Sequence, residues 1–314
     1  MADVLAPYPA PDKRDAELAY LVGRHGGTLR TYGHSVEGRP LHVAHIPAKR
    51  PTGQSVLVCA NIHGVEFIGN QVALGFLRAL PGLGLERADV WVAPCLNPDG
   101  YTQTWRQGGD APLGTLRGNA NGVDLNRNFP MPWGARPTRI PFAGADRPGA
   151  ATYRGEAPAS EPEVAAIIGL VEDIQPHVSV NLHSFMGTLI QPKVRHLADH
   201  QGYSRLVGAL RAGQRQTRGY VRLAFPPLDV FTGEMEDYQH HVARCWAVCL
   251  EIFTLRASAL QRPPAPGVFW RFNPTDPAPW VAQDVPGIAA VLRAGLDMPR
   301  PPRRPGASAL RPQW

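Results

Sequence analysis

Two side chains that often bind metals, His63 and Glu66, stand three positions apart in the stretch ANIHGVEFIG. They directly follow an apolar run typical of a buried strand, and open α/β sheets place ligand sites beyond the carboxyl ends of their strands. Such a pair also arises by chance, and a glutamate is favoured near the start of any helix by the helix dipole. The stretch alone indicates either part of a metal site or the start of a helix.

A third metal-binding side chain, His183, stands near the end of the stretch HVSVNLHS. Three apolar residues there alternate with three polar ones, and His183 belongs to the polar set on one side of the predicted strand. Taken alone, it could be a hydrogen-bonded histidine near the edge of a sheet. With His63 and Glu66 it completes a His, Glu, His set, which is common in catalytic zinc sites that leave a fourth position for water.

A carboxylate, Glu251, interrupts the otherwise apolar run CWAVCLEIFTL. An ionised carboxylate in a buried strand is costly unless it is paired, bound to a metal or given a task. Two interpretations stay open on the residues alone. Glu251 either forms a salt bridge with an arginine from a loop, or its surroundings tune it as a general base.

A dense set of hydrogen-bond donors lies in the stretch LRGNANGVDLNRNFP, which contains Arg117, Asn126 and Arg127. An arginine can bind a carboxylate through two parallel hydrogen bonds, and an asparagine amide adds another donor. A single arginine is more often a solvated surface residue. The density of donors in one short loop favours a carboxylate-binding site.

The elements that must position these residues alternate between strands and helices. Continuous apolar runs predict buried strands at 55–61 and around 88–95, the second ending in an Asn-Pro-Asp-Gly turn. A helix is predicted between them at 66–80, and 102–154 is predicted to form long loops over the sheet.

Further helices are predicted at both ends of the chain and in its middle. These are a short N-terminal helix ended by Gly26 and Gly27, a helix capped by Ser160, and a final helix at 287–296. The alternation of strands with helices predicts an α/β fold with helices on both faces of the sheet.

The composition indicates one large folded domain. The chain has 314 residues, of which 44% are hydrophobic and 18% charged, and this balance is not that of a disordered protein. We expect a catalytic domain over residues 1–296 and a flexible Pro/Arg-rich tail over 297–314. The tail supplies about half of the net charge of +6, so a docking or polyanion-binding arm is the alternative there, and nucleic acid is the least favoured partner.

The four cysteines lie inside apolar runs without the spacing of a zinc ribbon, so we expect buried, reduced thiols. The N-terminus shows no pattern of a signal peptide, and no apolar run reaches membrane-spanning length. We therefore expect a cytoplasmic protein without a membrane partner.

These motifs, in this order, resemble the zinc metallocarboxypeptidases of the carboxypeptidase A type, closest to the bacterial and regulatory carboxypeptidase and murein-peptide amidase branches. The matching segments run over roughly residues 30 to 255, and GVDLNRNFP is the most specific of them. The resemblance implies a single α/β domain with a mixed, twisted sheet. It also implies that one zinc ion per chain is held by His63, Glu66 and His183.

The resemblance further assigns roles to individual residues. It makes Glu251 the catalytic glutamate and makes Asn126 and Arg127 the pair that holds the terminal carboxylate of the substrate. Asp124 matches the carboxylate that orients the first ligand histidine. The arginine that polarises the scissile carbonyl matches Arg117 or Arg106, and Arg117 has the longer flanking match. Tyr238 is the nearest candidate for the family's mobile tyrosine, although it lies closer to the glutamate than usual.

The function implied is removal of the C-terminal residue of small peptides by zinc-activated water. The alternatives are a murein-peptide amidase that cleaves γ-D-glutamyl-diaminopimelate, and an amidohydrolase of N-acyl amino acids. From another class, the chain could be a catalytically inactive binding module on the same fold. The expected partner is a small peptide or muropeptide with a free carboxylate.

Overall fold

The computed structural model describes residues 4–132, 136–214, 220–223, 230–264 and 267–303. Within these ranges eight strands form one sheet. In chain order they are β1 Thr28–His34, β2 Pro40–Ile46, β3 Gln54–Ala60, β4 Ala88–Ala93, β5 Val178–Ser184, β6 Thr188–Ile190, β7 Val221–Leu223 and β8 Trp246–Ile252. The helices are α1 Pro11–Arg24, α2 Phe67–Ala79, α3 Pro98–Arg106, α4 Leu113–Arg117, α5 Pro162–Ile174, α6 Leu197–Gly213, α7 Met235–His241, α8 Leu255–Leu260, α9 Phe269–Phe272 and α10 Ala278–Leu296.

The sheet is mixed, with the strand order β1-β2-β4-β3-β5-β8-β6-β7. The four central strands β4, β3, β5 and β8 run parallel to one another. Strands β1 and β2 on one side, and β6 on the other, join them in antiparallel pairs. Because parallel strands end at the same edge of a sheet, the residues at the ends of β3, β5 and β8 come together there.

An apolar layer covers each face of the sheet. Val58 and Val180 pack into the larger buried cluster, which includes Ile288 of α10. Leu57 points to the opposite face and packs in a second cluster with Ile167 of α5. Helices therefore flank the sheet on both faces, which confirms the predicted fold class.

The predicted strand at 55–61 and the predicted helix at 66–80 are confirmed within one residue at each end. The Asn-Pro-Asp-Gly segment was predicted as a turn leading into loops, and this is wrong. Asn97 accepts a hydrogen bond from the Gly100 amide at 2.8 Å and so caps α3. Asparagine as the cap and proline in the first turn are both favourable at a helix start, and this pairing outweighed the turn signal.

Other elements also differ from expectation. Ser160 does not cap α5: Glu161 precedes the helix, and the Ser160 hydroxyl donates to the Glu161 carboxylate. Helix α10 begins nine residues before the predicted start and contains Pro286 in its interior. Strands β1, β6 and β7 and helix α6 were not predicted. Strand β1 has a largely exposed surface, and β6 and β7 have three residues each, too few for a clear periodic pattern.

The first residues of the predicted flexible tail pack against the domain. Met298 is buried, the Trp246 indole N–H donates to the Pro299 carbonyl at 2.8 Å, and Arg300 donates to the Pro176 carbonyl at 3.0 Å. The main-chain carbonyls of this proline-rich segment remain available as acceptors, which is why it can be tied down without forming a helix. Residues 304–314 of the predicted tail lie outside the described residues.

The four cysteines are buried and form no disulfide, as predicted. Among the described helices, none combines the length and the apolar character that a membrane crossing needs.

Candidate metal centre and substrate cleft

Three predicted ligands converge at the carboxyl edge of the central strands. His63 lies in the turn after β3, Glu66 immediately precedes α2, and His183 lies near the end of β5. The Nδ1 atom of His63 is 2.8 Å from Glu66 Oε1, and the Nδ1 atom of His183 is 3.2 Å from Glu66 Oε2. All three side chains are buried, and one donor atom of each lies within 4.8 Å of the others.

This donor set fits a zinc ion. Two imidazole nitrogens and one carboxylate are a common ligand set of catalytic zinc, and ligand distances of about 2.0–2.2 Å in a tetrahedron place neighbouring donor atoms roughly 3.3 Å apart. Both histidines direct Nδ1 toward the same carboxylate, so the donor atoms already surround one point. The other ring nitrogen of His63 contacts Asp124 Oδ1 at 3.0 Å, which is the outer partner expected for a metal-bound histidine.

The charges of these groups depend on one another. Burial opposes ionisation of Glu66, but His63 and His183 outweigh it and hold the pKa of this carboxyl well below its usual range. Burial likewise opposes the charge on His183, but Glu66 raises the pKa of His183 to about 9. The carboxylate thus requires positive charge beside it, which a bound divalent cation would supply in place of a proton.

Glu251 lies beside the metal-ligand cluster on β8, where it pairs in register with His183 of β5. Its Oε2 atom has no hydrogen-bond partner among the described residues. Burial and the nearby Glu66 raise the pKa of Glu251 to about 7. A carboxylate with one such oxygen and a pKa near neutrality, next to a candidate metal site, has the properties of a general base.

Of the two arginines that could polarise the scissile carbonyl, Arg117 lies at the cleft and Arg106 does not. Arg117, at the end of α4, donates from Nε to Asp124 Oδ2 at 2.8 Å, and its Nη1 lies 3.8 Å from Glu66 Oε1. It lines the same cleft as Glu66 and Glu251. Arg106 is exposed at the end of α3 and does not line this cleft.

Asn126 and Arg127 lie in a short 3-10 turn at Leu125–Arg127. Arg127 lines the cleft, its Nε has no partner among the described residues, and its Nη1 is 3.4 Å from Glu234. Asn126 is directed elsewhere, because its side-chain oxygen accepts a hydrogen bond from the Met235 amide at 2.8 Å. It fixes the start of α7 against the turn and is not among the residues that line the cleft.

The structure does not bring Tyr238 to the cleft. Its hydroxyl donates to Glu172 at 3.2 Å, and its ring packs beside Phe129 in the second apolar cluster. Two carboxylates that the sequence did not indicate line the cleft instead: Glu234, which immediately precedes α7, and Glu236 in its first turn. Three acidic residues within the short segment GEMEDY were the available signal.

The cleft has a volume of about 510 Å³, within the usual range for small-molecule sites. Its walls combine the charged groups described above with exposed or partly exposed apolar side chains, including Phe142, Phe185, Met186 and Phe231. The Arg127 guanidinium lies over the Phe231 ring, 4.5 Å from its centroid. The cleft is therefore suited to a ligand that carries both charged and apolar groups.

The site combines a His, Glu, His cluster with a separate carboxylate, and both face one cleft at the strand ends of a mixed sheet. This arrangement is that of a metal-dependent hydrolase. Comparison with known proteins makes this more specific. The chain belongs to the zinc carboxypeptidase family, whose model matches residues 16–263.

Two relatives show the range of the family. The chain is 34% identical over 170 residues to murein peptide amidase A of Escherichia coli K12, covering 54% of the chain and 64% of that protein. It is 29% identical over 176 residues to mast cell carboxypeptidase A of Rattus norvegicus, covering 51% of the chain and 41% of that protein. In both cases the alignment spans less than two thirds of the relative's own length.

Solved structures share the fold. Bovine thrombin-activatable fibrinolysis inhibitor matches with a TM-score of 0.71 at 19% identity, over 92% of this chain and 97% of that one. Murein-tripeptide amidase of Escherichia coli O157 matches with a TM-score of 0.52 at 24% identity, over 84% of this chain and 91% of that one. At these identities the likeness establishes the architecture.

Proposed function

We propose that this chain is a zinc-dependent carboxypeptidase that hydrolyses the amide bond next to a residue with a free carboxylate. The observation that carries the proposal is the shared cleft. The candidate metal ligand Glu66, the carboxylate of Glu251 and two arginines, Arg117 and Arg127, all line it. These are the groups needed to activate water, stabilise negative charge and recognise a carboxylate.

Arg127 is the proposed anchor for the terminal carboxylate of the substrate. Its guanidinium is largely buried, so a carboxylate that reaches it leaves water and forms a charge-assisted hydrogen bond in a protected site. Its Nε atom has no protein partner among the described residues and is available as a donor. Asn126 supports this anchor indirectly by holding the start of α7.

Glu251 is the proposed proton carrier. A bound zinc ion, held by His63, Glu66 and His183, would supply Lewis acidity and lower the pKa of a coordinated water. Glu251 accepts the proton of the attacking water and later returns it to the leaving amine. Arg117 faces the same space and stabilises the developing oxyanion, a contribution of about 3 kcal/mol for a donor of this kind.

Murein peptides are a second candidate substrate class. The specific support is the 34% identity to murein peptide amidase A over 170 residues. A γ-D-glutamyl-diaminopimelate bond also has a free carboxylate beside the scissile amide, so the same anchor and base would serve.

Matched substrates test the proposal. We expect the zinc-loaded protein to cleave a short peptide with a free C-terminal carboxylate, and expect amidation of that carboxylate to reduce kcat/KM by at least about tenfold, because a hydrogen bond to a charged group is lost. A γ-D-glutamyl-diaminopimelate peptide and an N-acyl amino acid, assayed in parallel, separate the branches. Stoichiometric zinc without hydrolysis of any of these substrates would contradict the proposal and favour a binding module.

A further inference from the structure

Thr188 of β6 stands directly opposite Glu251 of β8 in the sheet. The two residues are register partners in an antiparallel pair, so their side chains project from the same face. The next such pair on this face, Ile190 and Cys249, lines the cleft, and side chains two positions apart in a strand share a face. The Thr188 side chain therefore lies on the cleft side of the sheet, next to the proposed base.

A row of four register partners crosses the sheet at this point. It runs from β5 through β8 and β6 to β7 and consists of His183, Glu251, Thr188 and Val221. Glu251 thus has a candidate metal ligand on one side and a hydroxyl on the other. Thr188 has an aliphatic side chain on its β7 side, so within this row Glu251 is the neighbour that can accept a hydrogen bond from it.

Two polar atoms of this row are buried and lack a hydrogen-bond partner among the described residues. They are the hydroxyl oxygen of Thr188, which carries a donor, and Oε2 of Glu251, which is an acceptor. Buried polar groups without a partner are costly, and most of them in proteins are satisfied. Opposed side chains in an antiparallel pair have Cβ atoms about 4.5–5.5 Å apart, so a change of the Thr188 rotamer can bring the hydroxyl to the carboxylate.

The carboxylate of Glu251 is otherwise held through one oxygen. Burial and the nearby Glu66 raise the pKa of Glu251, and a hydrogen bond from the Met186 main chain opposes this rise. Because Oε2 has no partner among the described residues, that bond is made to Oε1. The last torsion of a glutamate side chain is broad, so a carboxylate held at one oxygen can still turn. A base that turns away from the water it activates loses rate.

We propose that the Thr188 hydroxyl donates a hydrogen bond to the Glu251 carboxylate and holds it in the orientation in which it accepts a proton from water. A carboxylate oxygen can accept two hydrogen bonds, so Oε2 can bind the hydroxyl and the water together. Thr188 is thus a positioning residue, which acts through Glu251 and does not itself line the cleft. The inference rests on the proposed function, because it takes Glu251 as the proton carrier.

The test removes the hydroxyl and then restores it. Thr188→Val keeps the shape of the side chain, and we expect it to lower kcat for a peptide with a free C-terminal carboxylate by about tenfold, because the base loses a hydrogen bond. KM and zinc content should stay as in the wild type, since Thr188 does not line the cleft. Thr188→Ser retains a hydroxyl and should keep kcat within about threefold of the wild-type value.

Thr102→Val is the matched control. Thr102 is a buried threonine outside the cleft, and its hydroxyl donates to the Pro98 carbonyl within α3. This variant should leave kcat unchanged. An equal loss of kcat in Thr188→Val and Thr188→Ser would overturn the inference, because the hydroxyl would then not be the cause.

Failure of the inference and failure of the proposed function give different results. If Thr188→Val cleaves peptides as fast as the wild type does, the inference is wrong and the proposed function stands. If the wild type cleaves no peptide, the proposed function fails, and a double-mutant cycle then tests the hydrogen bond by itself.

The cycle compares Thr188→Val, Glu251→Ala and the double variant by urea denaturation at one fixed free-zinc concentration. Each single substitution removes one partner of the same hydrogen bond, so their effects on the unfolding free energy should not add. Additive effects would show that the two side chains do not interact and would overturn the inference.

Discussion

Asp124 connects three residues of the site through one buried carboxylate. It accepts hydrogen bonds from Arg117 Nε at 2.8 Å and from the Asn126 amide at 3.1 Å, and it contacts His63 Nε2 at 3.0 Å. Burial opposes its charge, but Arg117 and His63 outweigh burial and hold the pKa of Asp124 well below its usual range. The carboxylate therefore stays ionised near neutral pH and keeps the His63 proton on Nε2, which leaves Nδ1 free to bind a metal.

We expect Asp124→Asn to weaken zinc binding by about tenfold to a hundredfold, because an amide holds the His63 ring and its tautomer less firmly. The dissociation constant is measured by competition with a chelator at neutral pH. Tyr238→Phe, which removes a hydroxyl outside the cleft, serves as the control and should bind zinc as the wild type does. Unchanged affinity in Asp124→Asn would show that this contact does not orient the ligand.

At the residue scale, the sequence was informative where a side chain follows a strand and less so on a short helix. The convergence of His63, His183 and Glu251 on one edge of the sheet could be predicted, because His63 follows a buried strand and the other two lie near the ends of buried strands. Tyr238 could not be placed, because successive helical residues rotate by about 100° and a neighbour two positions away faces nearly the opposite side. Glu236 thus faces the cleft, and Tyr238 faces the second apolar cluster.

At the scale of elements, the start of α7 is docked directly on the turn that carries the proposed anchor. Gly233 has a φ of +77°, and a Cβ atom there would lie 2.3 Å from the Arg127 carbonyl oxygen. Glycine is required both by the backbone conformation and by the close approach. The contact sets the distance between the cleft residues of α7 and Arg127.

Gly233→Ala should therefore raise KM for peptides with a free C-terminal carboxylate, because the turn at Arg127 must move. Gly38→Ala is the matched control, since Gly38 has a φ of +76° and a Cβ there would meet nothing within 4 Å. Both substitutions should cost about 1–2 kcal/mol of unfolding free energy from the left-handed backbone conformation. Steady-state kinetics should show a raised KM only in Gly233→Ala, and equal KM values in the two variants would contradict the proposed role of the contact.

The central strands and their connecting helix could be predicted because both faces of the strands are buried, which leaves continuous apolar runs. Strand β1 could not, because its residues are exposed or only partly buried and carry no clear alternation. Helix α3 could not be predicted, because it begins in the Asn-Pro-Asp-Gly segment, whose asparagine, proline and glycine are equally typical of a turn. The order and direction of the strands depend on long-range pairing, so the mixed sheet was expected only from the family resemblance.

At the scale of the whole molecule, a buried carboxylate helps to hold α10 against the part of the chain that follows α6. Asp284 of α10 accepts hydrogen bonds from Gln214 at 2.8 Å and from the Tyr220 hydroxyl at 2.7 Å. Burial raises the pKa of Asp284 to about 6, and the hydrogen bonds offset this only in part. The folded chain therefore binds this proton more tightly than the unfolded chain does.

The stabilising contribution of that proton is complete below about pH 4 and is lost as the pH rises through about 6. Asp284→Asn cannot titrate, so the unfolding free energy of the wild type should fall relative to this variant by up to about 3 kcal/mol between about pH 4 and pH 7. Urea denaturation of the metal-free proteins at both pH values measures the difference. A difference that does not change with pH would exclude Asp284 as a proton-linked group.

For the molecule as a whole, we propose that two glutamates have separate roles: Glu66 binds zinc and Glu251 moves the proton. The most direct test measures zinc content and peptide hydrolysis on one preparation of Glu251→Gln. We expect one zinc per chain, as in the wild type, with kcat/KM lowered by about a hundredfold to ten-thousandfold, the usual contribution of a general base. Near-normal turnover with zinc bound would show that Glu251 is not the base.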